Sequence, residues 1–324
     1  MLATTFIFTS MKNASMIFKK NYVVCIIATL CCLLWGSAFP VIKIGYKTLE
    51  ISNNDTATII MFAGLRFILA GLLTIIIFSL FEKKLLLLKK HSIHKICILS
   101  LFQTIIQYLF FYLGLAHTTG VRASIENGLN VVIVLFISVL LFRQENLNLK
   151  KTVACLFGFF GVVVAGGLFT GELNGGFNIG DLFLIFSGLG YSFSSVFMKV
   201  FSKDDNPALL SGNQFVLGGL VLAITGYLMG GNINFNLSGS IVIIYLAFVS
   251  AIAYSCWSIL IKYNDVSKVT VYSSLTQIFG FVLSYAMLGE DNGNLLNNVF
   301  GLILVVIGMF VLNSKGKDKN KINI

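Results

Sequence analysis

Long apolar runs constrain this chain more than any other feature. A helix crosses the hydrocarbon core of a bilayer with about 20 residues. Runs near that length recur at 22–44, 57–80, 96–115, 121–142, 152–169, 180–200, 207–229, 240–261, 269–288 and 295–313. Backbone in lipid must satisfy its own hydrogen bonds, so such runs become helices. The expectation is an all-α membrane protein with ten transmembrane helices. Composition agrees, since 57% of the 324 residues are hydrophobic and 11% are charged, whereas a soluble domain carries roughly 25% charged residues. The net charge of +10 could suggest nucleic acid. That would need a basic soluble face, and these lysines sit in short segments between apolar runs. Lipid, not nucleic acid, is the expected surrounding.

Basic residues orient the spans, because cytoplasmic loops retain Lys and Arg. With the N-terminus inside, the inner segments collect 19 of the 23 Lys and Arg, including Lys83, Lys84, Lys89, Lys90 and Lys95 after the second span. The other four are Lys43, Lys47 and Arg122 towards the outside and Arg66 within a span. A missed or invented helix would reverse every later loop and destroy the bias. The first run has no small-residue cleavage site behind it and reads as a span rather than a signal peptide. This gives a multi-pass protein of the cell (cytoplasmic) membrane with both termini cytoplasmic. Its parts are an N-terminal segment 1–21, a first repeat 22–169, an outer linker 170–179, a second repeat 180–313 and a basic tail 314–324.

The two halves resemble each other. Residues 35–43 read WGSAFPVIK and 191–199 read YSFSSVFMK; 66–73 (RFILAGLL) lie against 214–221 (QFVLGGLV). Glu145 precedes Phe157-Gly158 as Glu290 precedes Phe300-Gly301. Five helices per copy is an odd number, so consecutive copies enter the membrane from opposite sides. The charges follow suit: the counterpart of the lysine-rich loop 83–95 is 230–239, with no Lys or Arg. The expectation is two inverted-topology five-helix repeats, a plan used by secondary transporters with a midplane site at the repeat interface.

These residues carry a resemblance to a known family. Leu34-Trp35-Gly36-Ser37, Gly180-Asp181-Leu182, Glu145, Glu290 and the glycine-rich fifth and tenth spans are similar to the drug/metabolite transporter superfamily, in its EamA-type ten-helix branch. The resemblance implies a permease or exporter of small metabolites, commonly amino acids or related compounds. The family usually has a proline early in the fourth and ninth helices, where this chain reads Gly128-Leu129-Asn130 and Thr276-Gln277-Ile278.

Polar side chains inside spans are costly and face a cavity or another helix. Helix-face spacing groups Arg122, Glu126 and Asn130 on the fourth span, Gln103, Gln107 and Phe111 on the third, and Ser250, Tyr254 and Ser258 on the eighth with Trp257 beside them. Ser187, Tyr191 and Ser195 share a face of the sixth, and Ser273, Gln277 and Phe281 of the ninth. With Trp35, these would enclose a polar and aromatic cavity. Single Ser or Thr residues more often bond their own helix. Arg66 and Glu126 are the strongest signals, either as a structural ion pair with each other or as substrate or proton groups; Lys43 and Arg122 would snorkel to the outer interface. The candidate substrate-binding or coupling residues are thus Glu126, Arg66, Trp35, Gln103, Gln107, Asn130, Tyr191, Tyr254, Trp257 and Gln277.

An integral-membrane enzyme acting on a lipid-linked substrate is the alternative. Such chemistry needs a cluster of acids and bases at one interface. His91 and His94 have only Glu82 as an acidic neighbour in their loop, and all six cysteines fall inside apolar runs without metal-ligand spacing. No Gly-rich phosphate motif occurs. The reading is a transporter without metal or other cofactor, binding a small molecule with protons as the candidate coupling ion.

Overall fold

The computed structural model describes residues 17–84, 88, 90–130, 133, 137, 149–165, 178–264, 269, 271–289 and 295–313. Glu145, Glu290, most of the 170–179 linker and the 314–324 tail lie outside the described residues. The described residues are helical, with no strand among them. In chain order they form α1 (Asn21–Thr48), α2 (Thr56–Glu82), α3 (Lys90–His117), α4 (Gly120–Glu126), α5 (Leu149–Ala165) and α6 (Ile179–Phe201). There follow α7 (Pro207–Leu228), α8 (Leu237–Tyr263), α9 (Ser274–Leu288) and α10 (Leu295–Asn313). Six of these, α1, α2, α3, α6, α7 and α8, are long and apolar enough to cross a membrane.

Local chemistry sets the helix starts. Small polar side chains satisfy the orphan N–H groups of a first turn. Asp55 accepts from Thr58 N at 3.0 Å to begin α2, and Thr119 accepts from Arg122 N at 3.1 Å to begin α4. Asn206 caps α7 with Pro207 in the first turn, and Asn236 caps α8. Asn178 and Asp181 form a reciprocal capping box at α6. The Gly180-Asp181-Leu182 motif therefore opens the second repeat as a helix start.

Two spans are not the regular helices that apolar periodicity predicts. In α3, residues Ser100–Gln107 wind as a π-helix between α-helical segments, a widening often found at functional sites. It changes the face spacing, so Gln103 and Gln107 do not form a simple four-residue stripe. The run expected at 121–142 is broken after Glu126. Gly128 N bonds Ile125 O at 2.9 Å and Asn130 N bonds Asn127 O at 3.2 Å, both three-residue spacings. Asn127-Gly128 is a turn-forming pair.

Packing relates the halves to each other. α2 lies along α7 with glycines at the contact: a Cβ on Gly64 would meet Gly219 O at 2.7 Å, and one on Gly71 would meet Gly212 O at 2.6 Å. Gly212 is the repeat counterpart of Gly64 and Gly219 that of Gly71, both 148 residues on, so each contact is the other with the copies exchanged. Gly226 packs on Ala57 and Met61 while Gly212 packs on Ile75, so the two helices run antiparallel. Likewise α1 packs on α8 and α9 as α6 packs on α3 and α4, and α2 meets α8 as α7 meets α3. Outward faces are apolar, with Leu80, Phe81, Leu228 and Leu237 exposed, while Arg66, Gln103, Gln214 and Ser250 are buried. That arrangement suits a lipid solvent. Other glycines also pack helices within the molecule: Gly161 lies against Gly301 O and Val305, and Gly226 against Met61. Gly230 differs, since its φ of 89° marks it as a turn residue after α7.

Candidate functional site

The ten candidate residues fall into two neighbourhoods. The first surrounds Tyr254 on α8. Its ring meets Trp35 of α1 edge-on at 5.5 Å, and Trp35 meets Trp257 at 5.1 Å. The Tyr254 hydroxyl lies 3.1 Å from that of Tyr108 and accepts from Gln103 Nε2 at 3.3 Å. Gln103 Oε1 accepts in turn from Gln214 Nε2 at 3.2 Å, and Gln214 Oε1 accepts from the Thr104 hydroxyl. Tyr191 lies on α6, where its backbone carbonyl accepts from the Ser194 and Ser195 hydroxyls. Trp35, Tyr191, Tyr254 and Trp257 are all half-buried. Both repeats contribute to this cluster.

Arg66 adjoins the cluster through rings. Its guanidinium lies 4.0 Å from the Phe67 ring centroid, and Phe67 lies 4.1 Å from Tyr108. It donates to Tyr112 Oη at 2.9 Å, to Leu246 O at 3.4 Å and to the Ser250 hydroxyl. An Arg66–Glu126 ion pair, one of the two sequence readings, is therefore not formed. Neutral acceptors on α3 and α8 surround Arg66 at 3% exposure, and among the described residues no carboxylate reaches it. Hydrogen bonds to a charged group are worth about 1.5–3 kcal/mol each. Three of them offset an intramembrane charge cost on the order of 3 kcal/mol.

The second neighbourhood joins α4, α6 and α9. Arg122 does not snorkel outward. Its Nε donates to Glu126 Oε1 at 3.0 Å and its Nη2 to Asp181 Oδ2 at 2.6 Å. The Arg122, Glu126 spacing thus holds as a contact, while Asn130 turns to Asn127 Oδ1 at 2.6 Å and lies against Gly188 of α6. Gln277 is buried on α9 beside Gly128. Lys43 is also drawn inward, donating to Thr118 O at 2.7 Å. Gln107 is buried, and its Oε1 has no hydrogen-bond partner. Several hydroxyls take the bland role: Ser192, Ser194 and Ser195 bond carbonyls one turn back on α6.

Sequence reasoning passed over Gln214, Tyr108, Tyr112 and Asp181. Gln214 carried a usable signal, since it aligns with Arg66 in the internal repeat. The structure gives the two matching roles: Arg66 of α2 reaches α8, and Gln214 of α7 reaches α3. His91 also has an acidic partner that its own loop did not reveal. Asp205, between α6 and α7, takes His91 Nε2 at 3.0 Å, Ser92 Oγ at 2.7 Å and Lys95 Nζ at 2.8 Å. Lys95, then Ser92 and His91, hold the Asp205 carboxyl down at about 2, against desolvation.

Helices with apolar outer faces, two matching halves and a polar layer between them define a multi-pass membrane protein of the duplicated transporter type. The chain belongs to the EamA-like transporter family, which it matches over residues 23–167 and 178–314. It is 26% identical over 295 residues to the uncharacterized transporter YvbV of Bacillus subtilis strain 168, covering 88% of this chain and 90% of that protein. An uncharacterized transporter of Methanothermobacter thermautotrophicus is 26% identical over 236 residues, covering 71% of this chain and 67% of the relative. One solved crystal structure superposes with a TM-score of 0.62 at 19% identity, covering 90% of this chain and 97% of that one; this likeness concerns the fold alone.

Proposed function

We propose that the chain is a secondary transporter, not an enzyme, that moves a small metabolite across the cytoplasmic membrane by alternating access. The substrate class is an amino acid or related compound, the direction is export, and protons are the coupling ion. Ten spans form two inverted five-helix repeats with both termini cytoplasmic. The observation that carries the reading is the Tyr254 cluster, where α1, α3, α7 and α8 bring half-buried aromatic rings and buried amides from both repeats to one layer. Such a layer offers hydrogen bonds and ring faces to a small polar or amphipathic solute without fixing a permanent charge. The antiparallel α2–α7 contact and the 19-to-4 bias in basic residues support the inverted arrangement.

The test is a growth screen with toxic amino acids and analogues in cells overexpressing or lacking the protein, followed by uptake in vesicles. Overexpression should raise tolerance to at least one compound, and Trp35→Ala and Tyr254→Phe should abolish that gain at normal membrane levels. If no compound alters growth or accumulates in vesicles, the substrate class is wrong. If transport persists in both variants, the cluster is not the pathway.

A further inference from the structure

Glu126 is 6% exposed, and its two oxygens have different surroundings. Oε1 accepts from Arg122 Nε, whereas Oε2 is buried with no hydrogen-bond partner. Asp181 is the opposite case. Its Oδ2 accepts from Arg122 Nη2 at 2.6 Å and from Asn178 N at 2.7 Å, and its Oδ1 takes the Thr118 hydroxyl at 3.4 Å. Asp181 therefore has the donors that a carboxylate requires, and Glu126 has half of them. The two carboxyl groups share one guanidinium, Glu126 through Arg122 Nε at 3.0 Å and Asp181 through Arg122 Nη2 at 2.6 Å. A buried carboxylate oxygen without a donor is costly. A proton on it removes that cost, because an O–H can donate where a bare oxygen finds nothing to accept.

We propose that Glu126 and Asp181 form a single proton-binding site, in which Glu126 carries the proton on Oε2 and donates it to the Asp181 carboxylate, with Arg122 bridging the pair. Loaded, the triad holds one guanidinium and one carboxylate and is neutral. On release, one proton leaves Oε2 for water, and two carboxylates then face each other with one guanidinium between them. Glu126 sits on α4 of the first repeat, just before the Asn127–Gly128 break, and Asp181 sits in the first turn of α6 in the second. Loading and release thus change the force between the repeats at the joint that alternating access must flex.

Few other charged or titratable groups face the site. Lys43 of α1 reaches Thr118 O next to it, and half-buried His117 ends α3. On the other helices packed against α4, α9 carries Tyr285, which is 38% exposed, the described part of α10 carries no titratable residue, and the sequence of α5 holds Lys150, Lys151 and Cys155. The purpose given to the site rests on the transporter reading, but its test needs no substrate.

Infrared difference spectra of the full chain in lipid, recorded as pH is stepped between about 5 and 9, report carboxylic acid groups directly. A protonated-carboxyl band should be present at low pH and titrate away. Glu126→Gln should abolish it, and Asp181→Asn should shift its frequency and midpoint, because an amide replaces the acceptor. Wild-type protein grown on 13C-glutamate should show the same band displaced, an arm that does not depend on any variant folding. Failure of the label to move the band, or absence of any band, would overturn the proposal. A band that Asp181→Asn leaves unchanged would reduce the site to Glu126 alone and equally defeat it. None of these outcomes touches the growth and vesicle tests of transport.

Discussion

A guanidinium buried in a bilayer needs acceptors worth at least its desolvation, and Arg66 finds them without a counter-ion. The intramembrane charge was legible in the sequence, because an arginine in the middle of an apolar run has few cheap explanations. Its partners were not, since Tyr112, Leu246 and Ser250 lie 46, 180 and 184 residues away. The same holds for Glu126, whose neighbour Arg122 follows from helix spacing, while Asp181 comes from another helix. Tyr112→Phe keeps the ring and removes one bond to a charged group, so it should cost about 1.5–3 kcal/mol in unfolding measured in lipid. Arg66→Gln should be less damaging than Arg66→Leu, because an amide can still serve Ser250 and Leu246 O, as Gln214 serves Gln103 and Thr104. Equal loss in the two variants would mean that charge, not hydrogen bonding, is what the position requires.

At the scale of elements, helix existence was legible and helix regularity was not. Apolar residues suit lipid whether the backbone winds as α or π, so the π stretch in α3 left no mark on composition. The break in α4 did leave one, since Asn127-Gly128 is a turn pair inside an otherwise apolar run. Close packing of α2 on α7 depends on glycines at the contact. Gly219→Val would place a branched side chain where even a Cβ comes 2.6 Å from Ile68 N. Overpacking of this kind costs typically 1–3 kcal/mol, and the variant should melt earlier than wild type in lipid. A second contact is electrostatic and predicts a pH dependence. Asp205 has its pKa lowered from 3.8 to about 2 by Lys95, Ser92 and His91. A depressed acid contributes stability above its unfolded value and loses it as pH falls through the folded value. The melting temperature in lipid should therefore gain nothing from this group above about pH 4 that it does not already have at pH 7, and should lose its contribution between about 4 and 2. Asp205→Asn should melt earlier than wild type at pH 7, with the gap closing near pH 2; a constant gap would separate the stability of the clamp from the carboxylate charge.

For the whole molecule, the proposed inverted arrangement makes a commitment that the two-fold exchange of contacts sharpens. Two copies related by an axis along the membrane normal would keep equivalent helices parallel. α2 and α7 are equivalent and antiparallel, as the Gly226–Met61 and Gly212–Ile75 contacts require, which supports the proposed axis in the membrane plane. The loops that leave these helices then open on opposite sides. One of them, 83–95, holds five lysines, and the other, 230–239, holds none, as selection for cytoplasmic positive charge would leave them. The internal repeat could be aligned in the sequence because helix contacts at glycines, and the polar positions Arg66 and Gln214, keep their place in both copies. A reporter active only outside the cytoplasm should therefore be active when fused after Gly231 and silent after Lys84 or Lys315, and a reporter active only in the cytoplasm should give the reverse. Activity of the first reporter after both Lys84 and Gly231 would place equivalent loops on one side. That result would require parallel halves, and would refute the inverted-repeat model together with the alternating-access mechanism built on it.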